Sequence, residues 1–346
     1  MAYSTIAKIA IDKSKCGGEN TPNFAFMLSG VFSYFKSIVN GGKMADALAR
    51  DIEFCSDVSG AVQYKYERVI HNLVTGEIQY FIKLPLLSFS ADTVFFVRFG
   101  DPAKNIDLSD PVNVWDANFY AVYHCDDITP GVSINDSKGN ANMAGQAGLA
   151  SVQGVLGKAI NYPSAKKSET VPGNIPLNTL PYTFECWFRR TAVTGGAPTF
   201  EPFFGIGQNF GSWLSIGFNQ ATGCLYWLGG VRGIKAPFVM DGNWHSIFGT
   251  VKANRLNPRL WVDNQEIGLG VGENDGFMDI WDTWRVFVGA PAGWNDFIGD
   301  RDEIRISTIE RGTGYRIASY NNQFAPSSFS GVVGIGNVLR SQSTFY

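Results

Sequence analysis

Short runs of β-branched and aromatic residues, each ended by turn-forming residues, recur along most of this chain. Residues 78–84 and 93–99 are clear examples, and a proline and a glycine end them. Runs of this length and composition are typical of β-strands joined by tight turns. The pattern predicts an all-β protein, with one short helix over residues 33–39 that two following glycines would close.

The second part of the chain carries the same pattern. Its clearest predicted strands are 183–189, 212–218, 224–228, 244–251, 260–263, 285–288 and 302–307. Such a series of short strands favours a sandwich or a jelly roll.

A break in the pattern at residues 101–112, which hold two prolines, predicts a linker or a crossing loop. We therefore expect an N-terminal β-sandwich-like domain over 1–112 and a jelly-roll sandwich over 113–322. The remaining residues, 323–346, are rich in Ser and Gly and predict a tail with little core-forming content. Such a tail would be disordered, or ordered only by a partner.

Composition excludes several classes of protein. Charged residues make up 17% of the 346 residues, aromatic residues 14%, and the net charge is −3, so neither a disordered chain nor a nucleic-acid-binding surface is expected. No run approaches the roughly 18 apolar residues of a membrane span, and no signal peptide is recognised. The five dispersed cysteines argue against a disulfide framework and a zinc site. We expect synthesis and folding in a reducing cytoplasm.

The spacing of reactive residues does not predict catalysis. Glycosidases need two carboxylates aimed at one bond, but Glu273-Asn-Asp275 is followed by Met278 where a further Glu would stand. His124 and Cys125 are neighbours in a predicted strand and would face opposite sides. No Gly-x-Ser-x-Gly turn is present. We expect a protein that is not an enzyme.

Six motifs of the second block resemble, in order, those of the laminin-G-like or concanavalin A-like jelly rolls. They occupy residues 114–124, 136–142, 182–188, 241–247, 260–266 and 297–307. Two departures occur: Asn264 replaces a hairpin glycine and Arg301 replaces an apolar residue. The resemblance implies a concanavalin-like jelly-roll sandwich.

The first block is similar to an uncharacterised β domain that often precedes such jelly rolls. The similarity lies in residues 51–54, 84–88 and 92–100. Proteins with this pairing resemble virion components of tailed bacteriophages. The resemblance implies a virion location, with the first domain attaching the protein to the particle.

The resemblance also implies a structural calcium site. Calcium takes oxygen ligands from loops, and in the family the loop of residues 136–142 approaches the strand that carries Asp302. The candidate ligands are Asp136, Asn140, Asn142 and Asp302. The alternative is that Asp136 and Asn140 only form Asx turns, and that Arg301 or Arg305 pairs with the acids.

Carbohydrate binding is the usual function of this fold. Sugars stack on exposed aromatic rings, while Asp and Asn bind their hydroxyl groups. Two loops have this composition, and their candidate residues are Trp281, Asp282, Trp284, Trp294 and Asn295. The alternative is that these tryptophans lie in the core, as we expect for several of those in strand patterns, namely Trp187, Trp213, Trp244 and Trp261.

Two classes of function remain. The first is a non-enzymatic bacteriophage virion structural protein, of head-decoration or head-fibre type, that displays a lectin-like jelly roll with a capacity for glycan binding. The alternatives to it are a tail receptor-binding or adhesin protein that recognises host surface carbohydrate and, less favoured, a glycoside hydrolase. The second class is a glycan-active or glycan-binding protein outside a virion. Expected partners are capsid or tail proteins, host or environmental glycans, and further copies of the chain.

Overall fold

A computed structural model describes residues 3–128, 133–144, 148–163, 168–170, 181–192, 200–207, 213–219, 223–229, 232–252, 259–267, 285–288 and 298–337. Within these ranges the chain is built of strands with a few short helices, so the predicted all-β class is confirmed. The helices are α1 (Pro111–Val114), α2 (Thr313–Phe324) and α3 (Pro326–Phe329).

The strands are β1 (Thr5–Ile11), β2 (Thr21–Val31), β3 (Ile52–Cys55), β4 (Gln63–Tyr64), β5 (Tyr66–His71), β6 (Glu77–Leu87), β7 (Thr93–Phe99), β8 (Phe119–Tyr123), β9 (Ser133–Ile134), β10 (Met143–Ala144), β11 (Ala150–Gln153), β12 (Lys158–Tyr162), β13 (Ser168–Thr170), β14 (Tyr182–Arg190), β15 (Phe200–Gly207), β16 (Trp213–Asn219), β17 (Cys224–Gly229), β18 (Arg232–Pro237), β19 (His245–Val251), β20 (Arg259–Val262), β21 (Gln265–Glu266), β22 (Arg285–Val288), β23 (Gly299–Ser307) and β24 (Ser330–Asn337).

The chain forms two compact units. Unit 1 comprises Met1–Asp116 and Gly312–Tyr346, and unit 2 comprises Ala117–Arg311. The prediction of a separate tail after residue 322 is therefore wrong. Residues 313–337 form α2, α3 and β24, and β24 pairs with β1 over Thr5–Ile11. This segment has a regular structure because its backbone pairs with β1, which lies more than 300 residues earlier in the chain.

Unit 1 is a sandwich of two antiparallel sheets. One sheet has the order β24-β1-β7-β3-β4 and the other β2-β6-β5. Aromatic rings join the two sheets: Phe26 of β2 lies 5.5 Å from Phe95 of β7, and Phe54 of β3 lies 5.3 Å from Tyr80 of β6. Edge-to-face and tilted ring pairs of this kind stabilise a core beyond their buried area. The predicted β-sandwich-like domain is thus present, with a C-terminal strand that the prediction lacked.

Residues 33–39 do not form the single helix that was predicted. Two short 3₁₀ turns, Ser33–Phe35 and Ile38–Asn40, occupy the segment. The predicted end is correct, because Gly41 adopts a left-handed conformation with φ of 82°.

Unit 2 consists of two eight-stranded sheets. Their orders are β18-β17-β16-β15-β22-β13-β10-β9 and β11-β12-β23-β14-β19-β20-β21, with β8 also paired to β23. One continuous core holds residues of both sheets, including Ile216 and Leu225 from the first and Phe184, Ile247 and Ile306 from the second. The face of the second sheet that does not contribute to this core is called the outer face below.

Strand β23 is central to unit 2 and carries a bulge. Two residues of β23, Glu303 and Ile304, lie opposite the single residue Cys186 of β14, and Glu303 at the bulge has φ of 48°. β12 pairs with the part before the bulge and β8 with the part after it. Before the bulge Arg301 points toward the core, with its guanidinium carbon 4.1 Å from the centre of the Tyr162 ring. This cation–π contact accounts for an arginine where the resembling family has an apolar residue.

The second departure from the family motif also has a local cause. Asp263 and Asn264 join β20 to β21, with φ values of 49° and 65°. A two-residue hairpin with positive φ at both positions favours Asn, Asp and Gly, so asparagine serves in place of glycine.

All five cysteines are buried and free, in agreement with the sequence-based expectation. Among the described residues, no helix has the length and apolar character needed to cross a membrane.

Candidate functional site

The residues predicted to bind sugar lie outside the described part of the chain. Trp281, Asp282, Trp284, Trp294 and Asn295 fall between residues 267 and 285 or between 288 and 298. Their role in carbohydrate binding stays a prediction.

The predicted calcium loop is held together by its own backbone. Four backbone amides donate to the carboxylate of Asp136: those of Val122 and Lys138 to Oδ1, at 2.7 and 2.9 Å, and those of Asn140 and Ala141 to Oδ2, at 2.8 and 3.0 Å. A carboxylate has about four lone-pair sites. Asp136 therefore has none left for a cation, and the loop fits the Asx-turn alternative.

The other predicted ligands are also engaged. The amide of Asn142 accepts from the backbone N–H of Asp136 at 2.9 Å, and that of Asn140 donates to the carbonyl of Tyr120 at 2.8 Å. Asp302 bonds a different segment, accepting from the backbone N–H of Leu156 at 3.0 Å. Within the described ranges, no group of three or more His, Cys, Asp or Glu side chains is placed to hold a metal ion. A calcium ion shared by Asp136 and Asp302 stays a prediction that these contacts do not favour.

A row of four side chains crosses neighbouring strands on the outer face of unit 2. Asn161 of β12 is paired with Asp300 of β23, which is paired with Arg189 of β14. Trp244 directly precedes β19, whose His245 is opposite Phe188. We call Asn161, Asp300, Arg189 and Trp244 the outer row.

Contacts within the outer row fix its side chains. Asn161 donates to Oδ1 of Asp300 at 2.6 Å, and Arg189 donates to Oδ2 of Asp300 at 2.8 Å. The guanidinium carbon of Arg189 lies 4.9 Å from the centre of the Trp244 ring. Asp300 is fully buried, whereas 32% of the Arg189 side chain is exposed, and Asn161 and Trp244 are half-buried. The row therefore presents an aromatic ring, an amide and a guanidinium to solvent in a fixed arrangement.

Trp244 differs from its sequence-based expectation. Trp187 and Trp261 are buried, at 4% and 6% exposure, as expected for tryptophans of strands. Trp244 precedes its strand and is half-buried, because it packs on an exposed arginine rather than in the core. The side chain of Trp213 lies outside the described part of the chain.

Beside the outer row, a histidine is held between two carboxylates. His245 Nδ1 lies 2.6 Å from Oδ2 of Asp263, and His245 Nε2 lies 3.0 Å from Oδ1 of Asp241. The hydrogen bond to Asp263, followed by that to Asp241, raises the pKa of His245 despite its partial burial. Both ring nitrogens are used, so this group ties β19 to the β20–β21 hairpin and has no nitrogen left for proton transfer.

A second polar group lies at the bulge of β23, where β8 ends and β12 begins. Glu303 is buried between His124 and Arg305, with Nδ1 of His124 2.8 Å from its Oε1 and Nη2 of Arg305 2.7 Å from its Oε2. Burial alone would raise the pKa of Glu303, but His124 and Arg305 outweigh it and hold the pKa at about 2. His124 therefore contacts a carboxylate, while Cys125 belongs to the core. The side chains of His124 and Cys125 thus have different surroundings, as expected for neighbouring residues of a strand.

Two further carboxylates adjoin Glu303. Asp126 follows Cys125, and Asp302 precedes Glu303. Burial raises the pKa of Asp126 to about 6, and burial together with the charge of Glu303 raises the pKa of Asp302 well above its usual range. We call Asp126 and Asp302 the acid pair. Because Asp302 is 0% exposed, no substrate reaches it, and the pair is not placed as the acid and base of a glycosidase.

Sequence reasoning missed the outer row and Asp126. Asn161, Arg189 and Asp300 are ordinary polar residues of strand ends, and only their register brings them together. The alternation of polar and apolar residues could have placed Asn161 and Arg189 on the outer face, because each is next to an apolar core residue.

Comparisons with known proteins find solved structures of similar fold, but they do not identify a family. No protein family model matches the chain, and no curated sequence matches it. Domain 4 of AbnA, a GH43 extracellular arabinanase from Geobacillus stearothermophilus, solved with arabinotriose, is 18% identical with a TM-score of 0.45 over 60% of this chain and 99% of that domain. The binding domain of Paraclostridial Mosquitocidal Protein 1 is 15% identical with a TM-score of 0.45, over 60% of this chain and 53% of that one.

A sialidase of Trypanosoma rangeli is 10% identical with a TM-score of 0.48, over 76% of this chain and 43% of the sialidase chain. This chain thus spans about half or less of the sialidase and of the mosquitocidal protein's domain. None of these similarities assigns an activity.

Proposed function

We propose that unit 2 binds carbohydrate on its outer row and does so without catalysis. The observation that supports this is the arrangement of Trp244, Arg189, Asp300 and Asn161 in one row across four adjacent strands. A sugar ring has one apolar C–H face and a rim of hydroxyl groups. An aromatic ring beside fixed hydrogen-bonding groups matches both, because the ring contacts the C–H face while the polar groups bind the rim.

The size and charge of the outer row indicate which kind of carbohydrate would bind there. Four strands about 4.8 Å apart span roughly 14 Å, which suits a short oligosaccharide better than a single sugar ring. Asp300 compensates the charge of Arg189, since Arg189 Nη2 lies 2.6 Å from Asp300 Oδ2. The row therefore carries no excess of positive charge that would select an acidic sugar, and neutral oligosaccharides are the expected ligands.

The chain offers a matched control for this site. Arg259 also stacks on a tryptophan, with its guanidinium carbon 4.7 Å from the Trp261 ring centre, and also pairs with a carboxylate, Glu266, at 2.7 Å. Arg189→Ala and Arg259→Ala thus remove the same kind of contact at two places. On an oligosaccharide array, we expect Arg189→Ala and Trp244→Ala to lose at least tenfold in signal and Arg259→Ala to match the wild type.

The same array distinguishes binding at the outer row from binding elsewhere and from no binding at all. Wild-type binding that survives both outer-row variants would move the site elsewhere, with the predicted tryptophan loops as the next place to test. A wild type that binds no glycan would contradict the proposed function. Release of reducing sugar during incubation with a bound glycan would contradict the non-enzymatic part.

We further propose that the protein is a virion component that displays unit 2, of head-decoration or head-fibre type. Besides the sequence resemblance, the order of the units supports this role. Unit 2 is inserted between two segments of unit 1, so one unit can attach while the other carries the binding surface. Antibody labelling of purified particles tests the proposal. Labelling over the head is expected, labelling at the tail tip would favour a receptor-binding protein, and unlabelled particles would contradict both.

A further inference from the structure

The turn that precedes Trp244 of the outer row is held by one carboxylate. Asp241 accepts from the backbone N–H of Asn243 through Oδ1 at 2.8 Å and from the side-chain amide of Asn243 through Oδ2 at 2.8 Å. Gly242 between them has φ of 80°, in the left-handed region that glycine adopts without strain. The conformation of residues 241–243, and with it the direction in which the chain reaches Trp244, therefore depends on Asp241.

His245 bonds Asp241 from the next position along the chain. Trp244 and His245 are consecutive, so their side chains point to opposite sides of the sheet, and Trp244 lies on the outer face with Arg189. The His245 ring bonds two carboxylates: Nδ1 lies 2.6 Å from Oδ2 of Asp263, and Nε2 lies 3.0 Å from Oδ1 of Asp241. A change at the imidazole therefore reaches Trp244 through Asp241.

Only the protonated ring can donate to both carboxylates. A neutral imidazole has one N–H and one acceptor nitrogen, whereas the charged ring has two N–H groups. Asp263 is the more firmly held partner, because its contact with the ring is the shorter one and its Oδ1 accepts from the backbone N–H of Ser246 at 2.9 Å. Asp241 is held otherwise only by Asn243 of its own turn, among the described residues. Loss of a proton therefore breaks the bond to Asp241 first.

The surroundings of His245 leave these two carboxylates as its charged partners. The ring centres of Phe238 and Phe188 lie 4.9 and 5.8 Å from that of His245, and both rings are apolar. The arginines near it on β14 and β20 are paired with other carboxylates: Arg189 with Asp300, Arg190 with Glu201, and Arg259 with Glu266. The hydrogen bond to Asp263, followed by that to Asp241, raises the pKa of His245 above 6.5, although burial opposes it.

We propose that the charged form of His245 is a positioning residue for the outer row: by holding Asp241 and its turn, it keeps Trp244 beside Arg189 for carbohydrate. The proposal rests on the proposed function of the outer row. The affinity for carbohydrate therefore falls as the pH rises and His245 loses its proton. Because coupling between two binding events is reciprocal, bound carbohydrate in turn raises the pKa of His245.

The oligosaccharide array, read between about pH 5.5 and pH 9.5, tests this coupling. We expect the affinity of the wild type for each bound glycan to fall roughly five- to tenfold over this range. His245→Asn removes the titrating group and should give a flat profile at the weaker, high-pH level. Asp241→Asn keeps an acceptor for Asn243 but removes the charge, so the midpoint of its profile should move to lower pH.

Fluorine NMR of the tryptophan provides a readout that needs no glycan. After labelling with 5-fluorotryptophan, the resonance that is absent from Trp244→Phe belongs to Trp244. Its chemical shift should follow the protonation of His245 in the wild type and stay constant with pH in His245→Asn. Asp126→Asn is the control, because burial raises the pKa of Asp126 to about 6, within the same range, and this variant should keep the wild-type response.

The outcomes distinguish a failure of this coupling from a failure of the proposed function. Wild-type protein that binds glycan equally at every pH would overturn the coupling and leave the proposed function standing. Wild-type protein that binds no glycan at any pH would contradict the proposed function, and a constant Trp244 resonance would then overturn the coupling as well. A response that survives His245→Asn but disappears in Asp126→Asn would assign the titration to the bulge of β23. If His245→Asn does not fold, Asp241→Asn suffices, since an unmoved midpoint contradicts the proposal.

Discussion

Single residues of unit 2 show how the setting of a charge decides its role. Asp300, Asp302 and Glu303 are almost consecutive in one strand and all are buried. Asp300 pairs with a half-buried arginine, Glu303 with His124 and a buried arginine, and Asp302 with backbone amides. Burial and the charge of Glu303 raise the pKa of Asp302, whereas His124 and Arg305 lower that of Glu303. Three neighbouring acids thus have three different surroundings: a row on the outer face, the bulge, and the turn that joins β11 to β12.

His245 predicts a stability that depends on pH. Asp263 and Asp241 favour its charged form in the folded protein, so its folded pKa lies above the ordinary value of 6.5. The resulting stabilisation is complete below the unfolded pKa and is lost as the pH rises through the folded pKa. We expect His245→Asn to lower the free energy of unfolding by about 1 kcal/mol at pH 5 and by less at pH 9.

Urea unfolding at the two pH values measures this difference. His71→Asn is a useful comparison, because burial lowers the pKa of His71 and gives it the opposite dependence: its stabilising contribution falls as the pH drops below the unfolded pKa. Equal losses for His245→Asn at pH 5 and pH 9 would show that the histidine acts through packing rather than through its charge.

At the scale of elements, α2 and β24 are the missed elements that change the domain organisation. The packing face of α2 includes Tyr315, Ala318, Ser319 and Asn322, which gives only a weak apolar period. β24 is rich in glycine, and its pairing partner β1 is distant in sequence. Local pattern reasoning has no access to such a contact, so polar and glycine-rich residues were interpreted as a tail.

Local patterns did predict nine of the other strands. The predicted run at residues 93–99 has the same bounds as β7, and that at 285–288 the same bounds as β22. For the candidate sites the limits were different. Asp302 was found only through resemblance. Asp126 was missed because its burial and its hydrogen bond from the Lys158 amide come from a turn more than 30 residues away.

Asn322 provides a test of how α2 is attached to the sheet. Its side chain accepts from the backbone N–H of Met27 at 2.7 Å and donates to the carbonyl of Met27 at 2.8 Å, and it is buried. Asn322→Ala leaves two backbone groups of β2 without a side-chain partner. We expect it to lower the free energy of unfolding of unit 1 by about 2–4 kcal/mol.

The neighbouring asparagine is the control for this prediction. Asn321 makes one bond, donating to the carbonyl of Lys15 at 2.9 Å, and is half-buried. Asn321→Ala should lower the free energy of unfolding by about 1 kcal/mol or less. Denaturant curves for both variants measure the difference, and equal losses would mean that α2 is held by its apolar contacts instead.

At the scale of the whole molecule, the order of segments has a consequence for synthesis. Strand β1 lies between β7 and β24 in its sheet, and β24 ends at residue 337. The entire sequence of unit 2 is translated before β24 and emerges from the ribosome ahead of it. Because domains fold as units during translation, unit 2 can reach its native state while unit 1 still lacks an edge strand. Unit 1 is therefore begun first and completed last. Its strand β2 is covered by α2 only after residues 313–324 have been translated.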